Sequence, residues 1–576
     1  MLKGCMPLAA LAVATSCVDD KYDLTDIDTT SRITVNNLTV PVNLQSILLD
    51  DVLDIDDTDL IITTTDAAGR KIYALQQGGD INTSDFSISG IHVHAPTIPS
   101  THKDIDIPLG TLSSLGVTTV PETTLPSIAL TGIPEQTYDL KLQNVDAALV
   151  NLDNIKTSAP ITVEVILQIN ASIMSGNKVS FKNLEVKMPW GLMTESTDGV
   201  SYDPETGLLS VSELQVDASG KATFSFNATG LDLMGKGNLE NHNLNISGNV
   251  GIESGEIEMT VTNIAIPSTL NLNIDYKVSS FDIKSFTGDI DYKMDDINID
   301  PISLNDLPDF LDSPETEIRI ANPTINVKVN NPVGEYGLEG YGQILLSSNF
   351  DNGYVTNAES DQFTISTSGA SLSFGNPTDG YDTFVDFPGL GDILANQNVG
   401  GLPKSITVKL ENLQFKGHAV DFPIGTIGKA QGDYQFTAPL GFASPSRVIY
   451  ETEEAGWNSK DLDNVNIEYI NLTAECYTPT LPVAIQLSVV PIDKYGNVIA
   501  VTEDSGNFEV PAYCTGREVS LRIQGKNGPI RNFDGIRFRA VISQDQQDNT
   551  DAIGPDLSIE LRNIHVTVDG YYETDF

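Results

Sequence analysis

At 576 residues the chain has room for three to five domains. Hydrophobic residues make up 40% and charged residues 19%, with 46 Gly and 29 Pro, a composition that builds cores joined by many turns and excludes wholesale disorder. Acidic residues number 79 against 32 basic ones, and the net charge of -47 repels polyanions, which excludes nucleic acid as a partner. Six His and four Cys leave little material for metal or nucleophile clusters.

The N-terminal segment has Lys3, an apolar run from Met6 to Val13, and small residues up to Cys17, which predicts a secretory signal over residues 1–16. The run is too short for a hydrocarbon core of about 30 Å, and no later stretch predicts a membrane-spanning helix. Ala14-Thr15-Ser16-Cys17 resembles a bacterial lipobox, with Ala14 where Leu is usual. Cys17-Val18-Asp19-Asp20-Lys21-Tyr22-Asp23 resembles the acidic export signal of surface lipoproteins in the Bacteroidota. The resemblance implies lipidation of Cys17, a lipidated linker over 17–29, and an outer-membrane, cell-surface location. Asp28-Thr29-Thr30 is similar to the short O-glycosylation motif of the same phylum.

From residue 30 onward the pattern is one of strands. Ile161–Asn170, Ile325–Val329, Ile406–Leu413 and Ile536–Ile542 alternate apolar and polar residues, which predicts half-buried antiparallel strands. Closely spaced Asn-Pro, Asp-Gly and Gly-Asn turns predict an all-β chain of tandem sandwich-like domains. Short helices are expected only at Val42–Val52, Leu304–Leu311 and Leu390–Asn396, where Leu or Ile recurs at helical spacing after a Pro.

Internal similarity suggests a tandem duplication. Asp106-Ile107-Pro108-Leu109-Gly110-Thr111-Leu112 returns as Asp421-Phe422-Pro423-Ile424-Gly425-Thr426-Ile427. Leu142, Asn144, Val145, Asn151, Leu152, Val163, Leu167, Gly176 and Asn177 find identical residues 320 positions later, and Ile257–Ile264 is similar to Leu557–Ile564. Four parts are therefore expected: a β domain at 30–115, a sandwich at 116–270, a second β domain at 271–435 that repeats the first with an insertion, and a sandwich at 436–576 that repeats the second. Too few copies are present for a solenoid.

Chemistry is sparse. His92 and His94 share one face of a strand, a two-ligand spacing that Asp104 and Asp106 do not convincingly complete, so no metal site is assigned. The acidic runs Asp50–Asp59 and Asp295–Asp300 are calcium candidates or solvated edges, and neither has the Gly of a D-x-D-x-D-G loop. No other cofactor is implied. Cys476 and Cys514 either pair as a disulfide, closing a loop worth about 4 kcal/mol, or remain as two buried thiols. Trp190 lies between Pro189 and Gly191 where it can plug a sandwich end, whereas Trp457 lies in a polar loop. Stacking on Trp457, with hydrogen bonds from Asn458, Ser459 and Asp461, makes that loop the candidate glycan site.

Ile320-Ala321-Asn322-Pro323-Thr324-Ile325-Asn326-Val327-Lys328-Val329-Asn330-Asn331-Pro332 resembles a strand of late-embryogenesis-abundant water-stress domains, which implies a β-sandwich there. The functional expectation is a non-catalytic surface lipoprotein that binds extracellular glycan, by analogy with surface glycan-binding lipoproteins of the Bacteroidota. The alternatives are a structural or adhesive protein contacting other surface proteins, an apolar-ligand carrier, and a glycosidase, for which abundant carboxylates are no argument.

Overall fold

The computed structural model describes residues 30–575 apart from 41–46, 49–59, 67, 111–115, 195–198, 305–310, 312–313, 351–352, 396–400, 457–464, 504 and 545–550. It is 65% strand and 3% helical, so the all-β expectation holds. Of the expected short helices, Leu390–Asp392 is a 3-10 turn. Ile47–Leu48, inside the expected helix Val42–Val52, is instead a strand paired with Ile559 and Ser558, because the partner strand satisfies its backbone better than one isolated turn would.

The chain forms two compact units, one of Thr58–Leu307 with Glu317–Ala443, and one of Met1–Asp57, Pro308–Thr316 and Ser444–Phe576. Strand β1 (Thr30–Val40) belongs to the second unit. Strand β2 (Lys71–Asn82) lies near the start of the first, paired with the short preceding strand Ile61–Thr65, and the chain then leaves to build a whole sandwich before returning. This inserted module contains β3 (Gln136–Leu142), β4 (Leu149–Gln168), β5 (Lys178–Lys187), β6 (Val200–Asp203), β7 (Leu208–Gln215), β8 (Lys221–Asp232) and β9 (Leu244–Asn263). One sheet runs β3-β9-β5-β7-β6 and the other pairs β8 with β4. The period-two pattern is plain in β8, where Ala222, Phe224, Phe226 and Ala228 are buried and the residues between them are not. Phe226 stacks on Tyr202 of the opposite sheet at 6.2 Å.

The host module resumes with β10 (Phe281–Lys293), β11 (Thr324–Val329), β12 (Ala370–Phe374), β13 (Ser405–Pro423) and β14 (Gln431–Pro439). Its sheets are β12-β11-β14-β2 and β13-β10. The Asn-Pro-flanked segment is β11, a central strand, with Asn322 at φ 57° turning the chain before it. The terminal module follows with β15 (Ser446–Glu454), β16 (Val465–Thr478), β17 (Ala484–Asp493), β18 (Asn507–Val510), β19 (Cys514–Gln524) and β20 (Phe533–Gln544), in sheets β18-β17-β20-β15 and β19-β16.

All three modules share one strand order. Leaving out the edge strand β6 of the inserted module and counting six strands along each, one sheet runs fourth-third-sixth-first and the other pairs the fifth with the second. Three modules therefore carry this topology. The linear four-part division differs from this arrangement because β2 and β14 pair directly, Asn82 opposite Gln431, which joins parts 30–115 and 271–435 into one sandwich. The expected boundary at 270 falls inside the strand Thr269–Val278. The second strands β4 and β10 pair with each other, so the inserted and host modules share a continuous sheet. In the terminal module the second strand, β16, pairs instead with the C-terminal strand β21 (Ser558–Asp575), and β21 pairs with β1.

Candidate functional site

A groove of about 520 Å³ lies on the outer face of β5, β7 and β6 in the inserted module, within the size range of small-ligand sites. Its shape begins with a break in pairing. Along β5 the buried apolar residues step by two from Val179 to Phe181 and then by three to Leu184. At that break Asn183 has φ 50° and the register against β9 slips opposite Gly255. Gly255 has φ +156°, and a Cβ there would lie 2.7 Å from Leu184 Cδ2, so the bulge requires glycine.

The groove displays polar groups in two rows. Glu185 pairs with Ser210, and Ser210 with Ser201, so these three project side by side across three strands. Asn183, Ser212 and Gly199 line the groove beside them. Strand geometry sets the lateral spacing near 4.8 Å and the spacing along each strand near 6.8 Å. Ser254 on β9 extends the first row, and its hydroxyl donates to Glu185 Oε2 at 2.8 Å. Lys182, just before the bulge, is tied to Glu258 at 2.9 Å. The groove therefore offers hydroxyl, amide and carboxylate groups and no cation among its lining residues. Glu185 is the only carboxylate among those described lining residues.

No ring lines the groove among the described residues. Tyr202, next to Ser201, points inward, donating to Pro189 O at 2.7 Å and accepting from the Leu192 N–H at 3.2 Å. Burial pushes its phenol pKa well above the usual tyrosine range. Tyr138 behind it is pushed up to about 12 by burial, partly offset by the nearby Trp190 backbone. Trp190 is half-buried with Lys236 Nζ 4.3 Å above its ring, as suits a sandwich plug.

Cys17, the acidic run from Asp50 to Asp59, and Trp457, Asn458, Ser459 and Asp461 lie outside the described residues. Of the other acidic run, Asp296 is paired with Lys409 at 2.9 Å, and that hydrogen bond holds its carboxyl below the usual range. Among the described residues no three His, Cys, Asp or Glu side chains gather as a metal site. His92 Nδ1 meets Asp282 at 2.7 Å and packs against His94, while Asp104 pairs with His102 at 3.1 Å, so it does not complete the histidine pair. No helix among the described residues is long and apolar enough to cross a membrane.

Cys476 and Cys514 are not joined. Both are buried free thiols, and Cys514 Sγ donates to Cys476 O at 3.3 Å. Burial pushes the Cys476 thiol up to about 11, which leaves almost no nucleophilic thiolate at neutral pH. Maleimide is expected to modify neither thiol in the native protein and both after unfolding. Fast native labelling, or no free thiol in denaturant, would contradict this arrangement.

No family model matches the chain, and no curated protein matches it. Among solved structures, a secreted protein from Parabacteroides distasonis aligns over 49% of this chain and 89% of its own, at 16% identity and a TM-score of 0.34. The Faustovirus major capsid protein aligns over 89% of both chains at 9% identity and a TM-score of 0.07. Similarity at these levels carries no functional argument.

Proposed function

We propose that this chain is a non-catalytic, lipid-anchored cell-surface protein whose inserted module binds neutral extracellular glycan in the groove across β5, β7 and β6. The observation that carries the reading is the double row of Glu185, Ser210 and Ser201 beside Asn183 and Ser212 in an open cleft. Sugar hydroxyls donate and accept, and they match hydroxyl, amide and carboxylate side chains set at regular spacing. A net charge of -47, with no cation among the described groove residues, disfavours uronate-rich or sulfated chains. Among the described lining residues Glu185 is the one carboxylate, short of the flanking pair that a glycosidase uses.

The test is a glycan array on the chain starting at Val18, followed by titration of groove variants. Ser210→Trp, which fills the cleft from an exposed position, and Glu185→Ala should each weaken binding by at least about tenfold, or about 1.4 kcal/mol, with little change in melting temperature. Unchanged affinity in both would remove the groove from the account. A parallel Trp457→Ala variant tests the loop singled out from sequence. If that variant alone loses affinity, the site belongs to the terminal module.

An adhesive role is the second reading, favoured by one observation. Strand β1 is a sheet edge with no further partner among the described residues, it lacks Lys and Pro, and Ile33 on it is 54% exposed.

A further inference from the structure

The most exposed large hydrophobic side chain among the described residues is Tyr495, at 77%. It stands in the turn that follows β17, where Asp493 Oδ1 accepts from the Tyr495 and Asn497 N–H groups at 2.8 and 2.9 Å. That hydrogen bonding fixes the turn and leaves the ring in solvent. Val498 beside it is 45% exposed. Lys526 and Arg531, both exposed, lie in the neighbouring connection from β19 to β20.

Strand register places this turn at one particular end of the terminal module. Asp493 pairs with Phe533 at the start of β20. Ile530, just before it, bridges to Ile467 near the start of β16. Val465, the first residue of β16, pairs with Tyr572 of β21, and Asp575 of β21 pairs with Thr30, the first residue of β1. The Tyr495 turn and the start of β1 therefore share an end.

Thr30 is 13 residues from Cys17. Even fully extended, 13 residues reach no more than about 45 Å. The 14-residue strand β16 is itself about 46 Å long, so an anchor at Cys17 keeps this end toward the membrane and the opposite end away from it.

We infer that the Tyr495 end of the terminal module rests on the lipid surface. Tyr495 and Val498 enter the headgroup layer, and Lys526 and Arg531 face lipid phosphates. A tyrosine ring with a polar tip suits that layer, and cations next to it gain from phosphate even on a chain that is acidic as a whole. This seat rests on the acylation of Cys17, and the experiment separates the two. The lipidated full chain carrying Tyr495→Cys is labelled with an environment-sensitive fluorescent maleimide and reconstituted in vesicles of phosphatidylethanolamine with a minority of phosphatidylglycerol. Thr480→Cys, an exposed position just past the end of β16 at the opposite end of the terminal module, serves as the comparison. The Tyr495 probe should shift to the blue, be quenched by brominated lipid and lose its quenching by aqueous iodide, while the Thr480 probe keeps its iodide quenching. Protein that floats with the vesicles while both probes stay in water overturns the seat and leaves the anchor standing. Protein that does not float overturns both.

Discussion

A Cys17→Ala chain is expected to leave the membrane fraction and appear in soluble fractions. Acyl chains hold a protein by burying methylenes at about 0.8 kcal/mol each, and stable attachment takes more than one chain, which a diacylated or triacylated Cys17 provides. No helix among the described residues offers a second means of crossing the bilayer. The effect is close to all-or-none because the substitution removes every acyl chain at once. Fractionation with surface proteolysis reads it directly, and a Cys17→Ala protein that stays membrane-bound and protease-accessible at the surface contradicts the lipoprotein reading. The fold should survive the change, since β1 begins after the linker and keeps its pairing with β21.

Gly288→Ala is expected to destabilise the inserted and host modules together. Gly288 lies on β10 opposite Leu152 of β4, at the seam where the two second strands join. A Cβ there would sit 2.1 Å from Asn151 O and 2.9 Å from Leu152 Cα, both backbone atoms that cannot swing aside. Either the seam opens or the strands shift, at a cost of about 3 kcal/mol. In calorimetry the transition of the unit made of Thr58–Leu307 and Glu317–Ala443 should fall by several degrees as one event. Gly90→Ala in the same unit, where a Cβ meets nothing within 4 Å, should leave it in place. Separate melting of the inserted module, or equal effects of the two substitutions, would show that the shared sheet does not couple the modules.

The fold class was legible because alternation of period two survives in single strands such as β8 and β20. The nesting was not. It depends on the pairing of β2 with β14, which lie far apart in sequence and carry no mutual signal. The matches 320 residues apart were sound at Asn151 and Leu152, which sit on β4 as Asn471 and Leu472 sit on β16, both second strands. They fail beyond that point because β4 has 20 residues and β16 has 14. Val163 and Leu167 are still on the second strand when Val483 stands just before the third and Leu487 lies on it. Gly176-Asn177 precedes a third strand, whereas Gly496-Asn497 follows one.

Of the candidate site, one clue was present in the sequence. The apolar spacing Val179, Phe181, Leu184, Val186 breaks period two at Asn183 and marks the bulge that shapes the groove. Glu185, Ser201 and Ser210 read as ordinary solvent-facing residues until register brings them into one row. Tyr495 had a local signal too, a bulky ring inside an Asp-Lys-Tyr-Gly-Asn turn where small polar residues are usual. The two tryptophans drew attention by rarity, and the described one, Trp190, is packed under Lys236.

The most direct test of the glycan reading is affinity electrophoresis of the chain from Val18 through gels containing neutral or uronate-rich polysaccharide, with reducing ends assayed in parallel. The account predicts retardation by at least one neutral polysaccharide, relief of that retardation in Ser210→Trp, no retardation by uronate-rich chains, and no rise in reducing ends. Migration unaffected by every neutral polysaccharide, or release of reducing ends, would contradict it.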